Sequence, residues 1–329
     1  MKVAVFSNKS YDQAHLDEFN QENHELIYFS VRLDVHTASI AKGCEAVCCF
    51  VNDQLDASCI NLLAENGIKF IVMRCAGYNN VDLNACEKHN IYVCRVPDYS
   101  PFAVAEHAVA LIMDLNRNIH RAYARVREHY YKLEGLLGFD MHNKVVGVIG
   151  TGKIGLCFIN IMKGFGCQVI AYDPCKNEEV EKLGVEYTDL DNLFSRSDII
   201  SLHCPLTPQT HHIIDSESIN KMKKGIMIIN TSRGGLVDSR AVINGLKSEK
   251  IGYLGLDVYE EESDLFFEDF SNTVLQDDVF ARLLTFPNVV ITGHQGFFTK
   301  EALDGIAKVT MNNIKALAAG DFEKACLIR

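Results

Sequence analysis

Short, almost uninterrupted apolar runs alternate along the chain with longer stretches in which apolar and polar residues mix. In the first hundred residues the apolar runs cover 3–6, 26–29, 46–51, 70–73 and 91–94. Strands buried on both faces of a parallel sheet read as continuous apolar runs. Mixed stretches such as 58–66 are typical of the helices between such strands. The pattern therefore predicts a parallel α/β domain at the start of the chain.

A second series of apolar runs begins after residue 144. It covers 145–149, 198–203, 227–230, 253–258 and 289–292, with helical stretches at 216–222 and 239–248. Alternation of strands and helices on this scale is typical of a doubly wound parallel sheet. We therefore expect a second α/β domain.

The stretch between the two series predicts one long amphipathic helix. Ser100 suits the N-cap and Pro101 the first helical position, where the missing proline N–H costs nothing. An apolar stripe at helical spacing runs from Val104 to Ile119, and the segment continues to Tyr130. Its basic residues are Arg117, Arg121, Arg125 and Arg127. Because the chain is acidic overall, a charged helix face or a subunit contact explains them better than a nucleic-acid site.

The second series opens with a glycine motif. Gly150 permits a tight turn after the strand, Gly152 leaves room for a pyrophosphate, and Gly155 lets a helix pack closely on the sheet. The N-terminus of that helix offers N–H groups to phosphates. Asp173, 23 positions after Gly150, can accept hydrogen bonds from a ribose diol and would repel a 2′-phosphate. This combination predicts a Rossmann-type domain that binds NAD rather than NADP.

Polar residues follow four strands of the second series, at the ends where such sheets bind ligands. They are His203-Cys204-Pro205, Thr231-Ser232-Arg233-Gly234, Asp257 followed by Glu260 and Glu262, and Gly293-His294. Because parallel strands end at the same edge of a sheet, we expect these residues to lie close together. Each of them taken alone is also compatible with an ordinary loop.

Three of these positions suit hydride transfer between a nicotinamide and a carbonyl. The reaction needs a proton donor, a cation that holds the substrate, and a group that keeps the donor protonated. His294 is the candidate donor and Arg233, with its planar fork of N–H groups, the candidate cation. On the residues alone, His294 could be a loop histidine and Arg233 part of a structural ion pair. The partner acid also stays open, because the acidic run 260–262 could be a solvated face.

With these residues in place, the chain resembles the D-isomer-specific 2-hydroxyacid dehydrogenases, and most closely the bacterial fermentative D-lactate dehydrogenases. The likeness covers essentially the whole chain. Its motifs are RCAGYNNVDL at 74–83, VPDYSPFAVAEHA at 96–108, GVIGTGKIG at 147–155, SLHCPLTPQTHHII at 201–214, NTSRGGLVD at 230–238, GLDVYEEE at 255–262, LFFEDFSNTVLQDDVF at 265–280 and TGHQGFFT at 292–299.

The resemblance implies two domains and a set of site residues. A Rossmann-type NAD domain would span 101–297, and residues 1–100 and 298–329 would form a smaller, flavodoxin-like α/β substrate domain. Arg233 would bind the carboxylate and carbonyl of a 2-oxo acid, His294 would be the acid/base, and Glu262 its carboxylate partner. Substrate contacts would also come from backbone groups of Ala76 and Gly77 and from the side chains of Tyr99 and Phe297. Cofactor contacts beyond the three glycines would be Lys153, Ile154, Asp173, His203, Cys204, Pro205, Thr231, Ser232 and Asp257.

The function implied by the resemblance is reversible reduction of pyruvate to D-lactate by NADH. A related dehydrogenase for bulkier 2-oxo acids such as phenylpyruvate is the nearest alternative. A more remote one is an NAD-sensing corepressor that binds protein partners and catalyses weakly. The family also suggests a homodimer or homotetramer.

Net charge, apolar run length and cysteine pattern exclude several classes of protein and leave this interpretation unchanged. The 329 residues carry a net charge of −11 and no basic run, which argues against a nucleic-acid-binding protein. No apolar run reaches the roughly 18 residues of a membrane span. The twelve cysteines form no CxxC pair or zinc-type cluster, and the start MKVAVFSN has no signal-peptide pattern. We therefore expect reduced thiols, no metal and a cytoplasmic location.

Overall fold

The computed structural model describes residues 1–262, 265–267 and 269–328. It divides the chain into two compact units, Met1–Ser100 with Phe298–Arg329, and Pro101–Phe297. Each unit is built on a parallel sheet with helices between the strands. The predicted α/β class with two parallel sheets is therefore confirmed.

The first unit contains a five-stranded sheet. In chain order its elements are β1 (Lys2–Val5), α1 (Ser10–Phe19), β2 (Glu25–Tyr28), β3 (Ala46–Cys49), α2 (Ala57–Glu65), β4 (Phe70–Met73), α3 (Leu83–Lys88) and β5 (Tyr92–Cys94), with a 3₁₀ turn at Ala38–Ala41. The strands pair in parallel in the order β2-β1-β3-β4-β5. The central strands β3 and β4 are buried at every position, as their continuous apolar runs require.

The second unit contains a seven-stranded sheet. Its strands are β6 (Val145–Ile149), β7 (Gln168–Tyr172), β8 (Glu186–Tyr187), β9 (Ile199–Leu202), β10 (Ile226–Asn230), β11 (Ile251–Leu256) and β12 (Val289–Ile291). Its helices are α4 (Pro101–Arg117), α5 (Ile119–Arg127), α6 (Lys153–Gly164), α7 (Glu178–Lys182), α8 (Leu190–Arg196), α9 (Ser216–Lys221), α10 (Ser239–Lys247) and α11 (Asp278–Leu284), with a 3₁₀ turn at Gly234–Leu236.

The strand order of the second sheet fixes the place of a ligand site. The order is β12-β11-β10-β9-β6-β7-β8, so the chain leaves β6 toward β7 on one side and returns to β9 on the other. Ligands of open α/β sheets bind outside the carboxyl ends of the strands at this kind of reversal. We call the edge at which these parallel strands end the carboxyl edge.

The chain returns to the first unit in its last helix, α12 (Lys300–Ala318). Met311, Ile314 and Leu317 of this helix pack in one buried cluster with residues of β1, β3 and β4. No helix in the described part of the chain is both long and apolar enough to cross a membrane.

The prediction of one continuous helix after Ser100 is wrong. The helix begins at Pro101 as expected, but it ends at Arg117 and a second helix starts at Ile119. Asn118 between them has a left-handed φ of 51°, which asparagine tolerates better than most residues. His120 then donates its backbone N–H to the Asp114 carboxylate at 2.8 Å, so the two helix ends are tied across the break.

Candidate active site

The glycine turn lies at the reversal of the second sheet. Gly150 follows β6 with φ +97°, a conformation that favours glycine. A Cβ on Gly150 would stand 2.5 Å from the backbone nitrogen of Cys204, which follows β9. The His203 backbone N–H also donates to the Ile149 carbonyl oxygen at 2.7 Å. The ends of β6 and β9 therefore approach each other so closely that a side chain at position 150 does not fit.

The other two glycines leave space and bring helix α6 close. A Cβ on Gly155 would collide with the Gly150 carbonyl oxygen, whereas the Cβ position of Gly152 has no neighbouring atom within 4 Å. Gly152 is the N-cap of α6 and has no side chain to occupy the first N–H groups. A turn with bare backbone next to a 12-residue helix fits the pyrophosphate of a dinucleotide.

Asp173 stands at the carboxyl end of β7. Its Oδ2 accepts hydrogen bonds from the Thr151 backbone N–H at 2.7 Å and from the Thr151 hydroxyl at 3.2 Å. Its Oδ1 accepts one from the Cys175 backbone N–H at 2.8 Å. The carboxylate is therefore fixed beside the glycine turn, and Oδ1 keeps a lone pair for a further donor.

The turns after β9 and β10 are tied together. The Ser232 hydroxyl donates to the Cys204 carbonyl oxygen at 2.7 Å, and the buried Asn230 amide donates to the Arg233 carbonyl oxygen at 2.8 Å. The hydroxyl of the buried Thr231 has no hydrogen-bond partner among the described residues. These bonds hold two of the predicted polar segments, 203–205 and 231–234, together at the carboxyl edge.

His203 is held in its neutral form next to the glycine turn. Its Nε2 lies 2.9 Å from the Ser201 hydroxyl, and its ring centroid is 4.7 Å from that of Phe158. Desolvation lowers the pKa of His203 to about 3. Its Nδ1 is buried without a partner in the described part of the chain, so this atom can still form a hydrogen bond.

Arg233 has no acidic partner in the described part of the chain. Its Nη1 donates to the Ser232 carbonyl oxygen at 2.7 Å, and its guanidinium forms no ion pair with a described carboxylate. The following Gly234 has no room for a side chain, because a Cβ there would collide with the Tyr259 carbonyl oxygen. The Arg233 turn thus packs directly on the loop that carries the acidic residues.

His294 and Glu262 form a pair. The His294 Nδ1 lies 2.9 Å from the Glu262 Oε1, with the two side chains 18% and 22% exposed. The second oxygen, Oε2, accepts the Tyr259 backbone N–H at 3.0 Å. No described residue hydrogen-bonds to the His294 Nε2. The imidazole is therefore oriented from one nitrogen, and the other nitrogen remains for a proton transfer.

The neighbouring acids are placed differently. The Glu260 carboxylate binds the His212 Nε2 at 2.6 Å and the Ser239 backbone N–H at 2.9 Å, and the Glu261 side chain is exposed. The carboxylate that contacts His294 is that of Glu262.

A buried aspartate supports the His294 segment. Asp257 is 1% exposed, and its oxygens accept hydrogen bonds from the backbone N–H groups of Gln295 at 2.9 Å and Gly296 at 2.8 Å. The His294 backbone N–H donates to the Asp257 carbonyl oxygen at 2.7 Å. His294 itself has a left-handed φ of 52°. The aspartate thus fixes an unusual backbone conformation from both sides.

His107 of helix α4 completes this support, although no role was predicted for it from the sequence. Its Nε2 lies 3.2 Å from the Asp257 Oδ1 and 3.0 Å from the Thr292 hydroxyl. Burial would raise the pKa of Asp257, but the hydrogen bonds from His107 and Thr292 outweigh burial and hold this pKa below its ordinary value. A sequence signal was hard to find because His107 and Asp257 are 150 positions apart.

Residues 109–296, which include the glycine turn, Arg233, Glu262 and His294, match the family model described as D-isomer specific 2-hydroxyacid dehydrogenase, NAD binding domain. The whole chain is 53% identical to a D-lactate dehydrogenase of Escherichia coli over 322 residues, which are 98% of each chain. The chain belongs to the D-isomer specific 2-hydroxyacid dehydrogenases. The predicted family and the predicted NAD cofactor are confirmed. As a member of this family, the dehydrogenase is an enzyme that acts on a small molecule.

Solved structures agree with this membership. The dehydrogenase is similar to the pyruvate reductase of Chlamydomonas reinhardtii, with a TM-score of 0.93 and 47% identity over 97% of each chain. It is also similar to a D-lactate dehydrogenase with NAD+ from Lactobacillus jensenii, with a TM-score of 0.82 and 32% identity over the full length of both chains.

The remaining predicted site residues are divided between the units. Phe297 of the second unit is 9% exposed, and its ring centroid lies 6.5 Å from that of His294. Ala76, Gly77 and Tyr99 of the dehydrogenase belong to the first unit. There the Ala76 carbonyl oxygen accepts a hydrogen bond from the Arg95 Nη1 at 2.9 Å.

The acidic stretch 260–278 of the dehydrogenase is described in part. Ser263, Asp264 and Glu268 lie outside the described residues, as does the C-terminal Arg329. Within the stretch, the Tyr259 hydroxyl donates to the Asp277 carboxylate at 2.7 Å, which connects the loop after β11 to the start of α11.

Proposed function

We propose that this dehydrogenase reversibly reduces pyruvate to D-lactate with NADH. Similarity to enzymes named D-lactate dehydrogenase and pyruvate reductase supports the substrate. The observation that carries the chemistry is the oriented His294–Glu262 pair at the same sheet edge as Arg233, a guanidinium without a described acidic partner. An acid/base and a carboxylate-binding cation are what reduction of a 2-oxo acid needs from the protein.

His294 provides the proton. Bound NADH supplies a hydride to C2 of the 2-oxo acid. The His294 Nε2 gives its proton to the carbonyl oxygen as that oxygen gains negative charge, and takes the proton back in the reverse reaction. Glu262 accepts the Nδ1–H and thereby fixes the tautomer and the orientation of the ring.

Arg233 holds the substrate. Its guanidinium donates to the substrate carboxylate in a charge-assisted, bidentate arrangement and polarises the neighbouring carbonyl. In the proposed complex, backbone groups of Ala76 and Gly77 also bind the carboxylate, and Tyr99 and Phe297 line the pocket. The absence of a described acidic partner supports this role, because a permanent ion pair would compete with the substrate.

In this proposal, residues at the carboxyl edge would hold the cofactor. The turn and first helical residues Gly150, Gly152, Lys153, Ile154 and Gly155 would hold the pyrophosphate, and Asp173 would bind the adenosine ribose. The remaining cofactor contacts come from His203, Cys204, Pro205, Thr231, Ser232 and Asp257. Unpartnered buried atoms of His203 and Thr231 support two of these contacts.

We also propose a homodimer or homotetramer in the cytoplasm. Helix α5 and the segment after it expose large apolar side chains, among them Tyr123 at 64% and Leu133 at 80%. Such side chains are more typical of a contact surface than of one facing water. All twelve cysteines lie among the described residues and none forms a disulfide, which fits a reducing compartment.

A substrate panel tests the proposed activity. NADH oxidation with pyruvate should show a higher kcat/KM than with phenylpyruvate. A higher value for phenylpyruvate would favour a dehydrogenase of bulkier 2-oxo acids. Negligible turnover with every 2-oxo acid, together with tight NADH binding, would favour the corepressor-like alternative.

A further inference from the structure

Tyr187 ends a chain of hydrogen bonds that begins at Asp173. The Tyr187 hydroxyl donates to the Thr151 hydroxyl at 2.9 Å, and the Thr151 hydroxyl donates to the Asp173 Oδ2 at 3.2 Å. The Asn177 backbone N–H donates to the Tyr187 oxygen at 2.9 Å. Thr151 is 1% exposed, so this relay runs through a buried hydroxyl inside the glycine turn.

The direction of the relay follows from counting protons. Asp173 accepts and Asn177 N–H donates, so each hydroxyl between them must donate toward the carboxylate. Each hydroxyl then donates one hydrogen bond and accepts one. The Asn177 side chain adds a further link, because its Nδ2 donates to the Thr151 carbonyl oxygen at 2.8 Å. Such chains are mutually strengthening, and a break at one member weakens the bond that the next one makes.

We infer that the hydroxyl of Tyr187 is a positioning group for cofactor specificity, which acts through Thr151 on Asp173. With Oδ2 held by Thr151, the Asp173 Oδ1 keeps a lone pair that a ribose hydroxyl would use. The fixed negative charge would also repel the 2′-phosphate of NADPH. This inference rests on the proposed ribose contact of Asp173.

Lys176 lies near Asp173, so the position of the Asp173 carboxylate affects whether a 2′-phosphate is attracted or repelled. Tyr172, Asp173, Lys176, Tyr187, Thr188 and Asp189 line one pocket at this end of the sheet. The Lys176 ammonium lies 5.6 Å from the centroid of the Tyr187 ring. It would attract a 2′-phosphate if the Asp173 carboxylate turned away. Discrimination against NADPH therefore depends on the relay that holds this carboxylate.

Tyr187→Phe isolates the hydroxyl, because it keeps the ring that lines the pocket and contacts Lys176. We expect the Kd of NADH to rise about three- to ten-fold, the loss of one hydrogen bond, while the Kd of NADPH changes less than two-fold. The kcat for pyruvate at saturating NADH should change less than two-fold. Asp173→Ala, which removes the carboxylate itself, should give the largest loss of discrimination between NADH and NADPH and serves as the reference for Tyr187→Phe. Both Kd values are measured by titration of the nicotinamide fluorescence of NADH and NADPH. Because the chain has no tryptophan, tryptophan emission does not interfere with this signal.

Two controls separate positioning from general damage. Tyr253→Phe removes a tyrosine hydroxyl from β11 of the same sheet, away from this pocket, and should leave both Kd values unchanged. Thr151→Val should raise the Kd of NADH as Tyr187→Phe does, whereas Thr151→Ser, which keeps the hydroxyl, should bind NADH like the wild type. Tyr187→Phe in the Thr151→Val background should raise the Kd of NADH little further.

The inference is overturned if Tyr187→Phe leaves the ratio of the two Kd values unchanged, whether neither or both of them rise. The binding measurement needs no turnover, so a wild-type protein that binds NADH but does not reduce pyruvate would contradict the proposed function alone. Unchanged Kd values in Asp173→Ala would contradict the ribose contact on which the inference rests.

Discussion

Arg233 has a backbone partner and no acidic one in the described structure, whereas Arg74 and Arg196 each contact a carboxylate. Arg233→Lys keeps the charge but loses the planar fork. We expect it to lower kcat/KM for pyruvate about 100-fold, equivalent to about 3 kcal/mol of transition-state stabilisation. Arg196→Lys is a matched control, because Arg196 forms an exposed ion pair with Glu186 in the same unit. Near-normal pyruvate kinetics in Arg233→Lys would remove the residue from substrate binding.

Glu262 and Glu260 allow a paired experiment on neighbouring acids. Glu262→Gln leaves a side chain of the same shape next to His294 without its charge. It should lower kcat for pyruvate reduction roughly 10- to 100-fold while the KM for NADH changes little. Glu260→Gln disturbs the contacts with His212 and Ser239 and should affect stability more than kcat. A larger kcat loss in Glu260→Gln would contradict the assigned pairing.

Some site residues could be predicted from the sequence alone and others could not. The glycine spacing and Asp173 indicated a dinucleotide site without further help. The choice of Glu262 among three consecutive acids came from the family resemblance, because composition does not tell which carboxylate points toward His294. His107 was missed, since its contact with Asp257 depends on how α4 packs beside β11 and not on any local pattern.

Among the elements, the break between α4 and α5 gives a prediction about stability. Asn118 has φ 51°, a conformation that costs most non-glycine residues about 1 to 2 kcal/mol. Asn118→Ala should therefore lower the free energy of unfolding by about 1 kcal/mol, whereas Asn118→Gly should change it little. Denaturant unfolding of the two variants checks this. An Asn118→Ala protein as stable as Asn118→Gly would show that the left-handed break is not maintained.

The contact of α4 with the end of β11 predicts a dependence on pH. Hydrogen bonds from His107 and Thr292 hold the pKa of Asp257 below its ordinary value. A carboxyl group with a lowered folded-state pKa stabilises the fold above its unfolded pKa, and this stabilisation is lost as the pH falls through the folded pKa. Asp257→Asn should therefore lower Tm at neutral pH, and the gap to wild type should narrow as the pH falls below about 4. A gap that stays constant with pH would contradict the role of the charge.

Strands were easier to predict than the connections between them. The runs for β4 and β6 matched the observed bounds, because burial on both faces leaves an uninterrupted apolar signal. The edge strand β8 has two residues, one exposed and one half-buried, and gave no such signal. The helix break at Asn118 was also invisible, because the apolar stripe continues across it to Ile119.

For the whole molecule, the sequence pattern already required two α/β parts, because a complete set of buried strands precedes the glycine turn. The return of α12 to the first unit could not be read from periodicity, since an amphipathic helix does not indicate which sheet it covers. The family resemblance supplied that connection. The convergence of the polar strand ends at one edge, by contrast, followed from the parallel strands alone.

The enantiomer of the product is the most direct test of the central claim. The protein should be incubated with pyruvate and NADH, the oxidised NADH measured by absorbance, and the lactate separated on a chiral column. The proposed function predicts one D-lactate formed for each NADH oxidised. L-lactate as the product, or NADH oxidation without lactate, would contradict it.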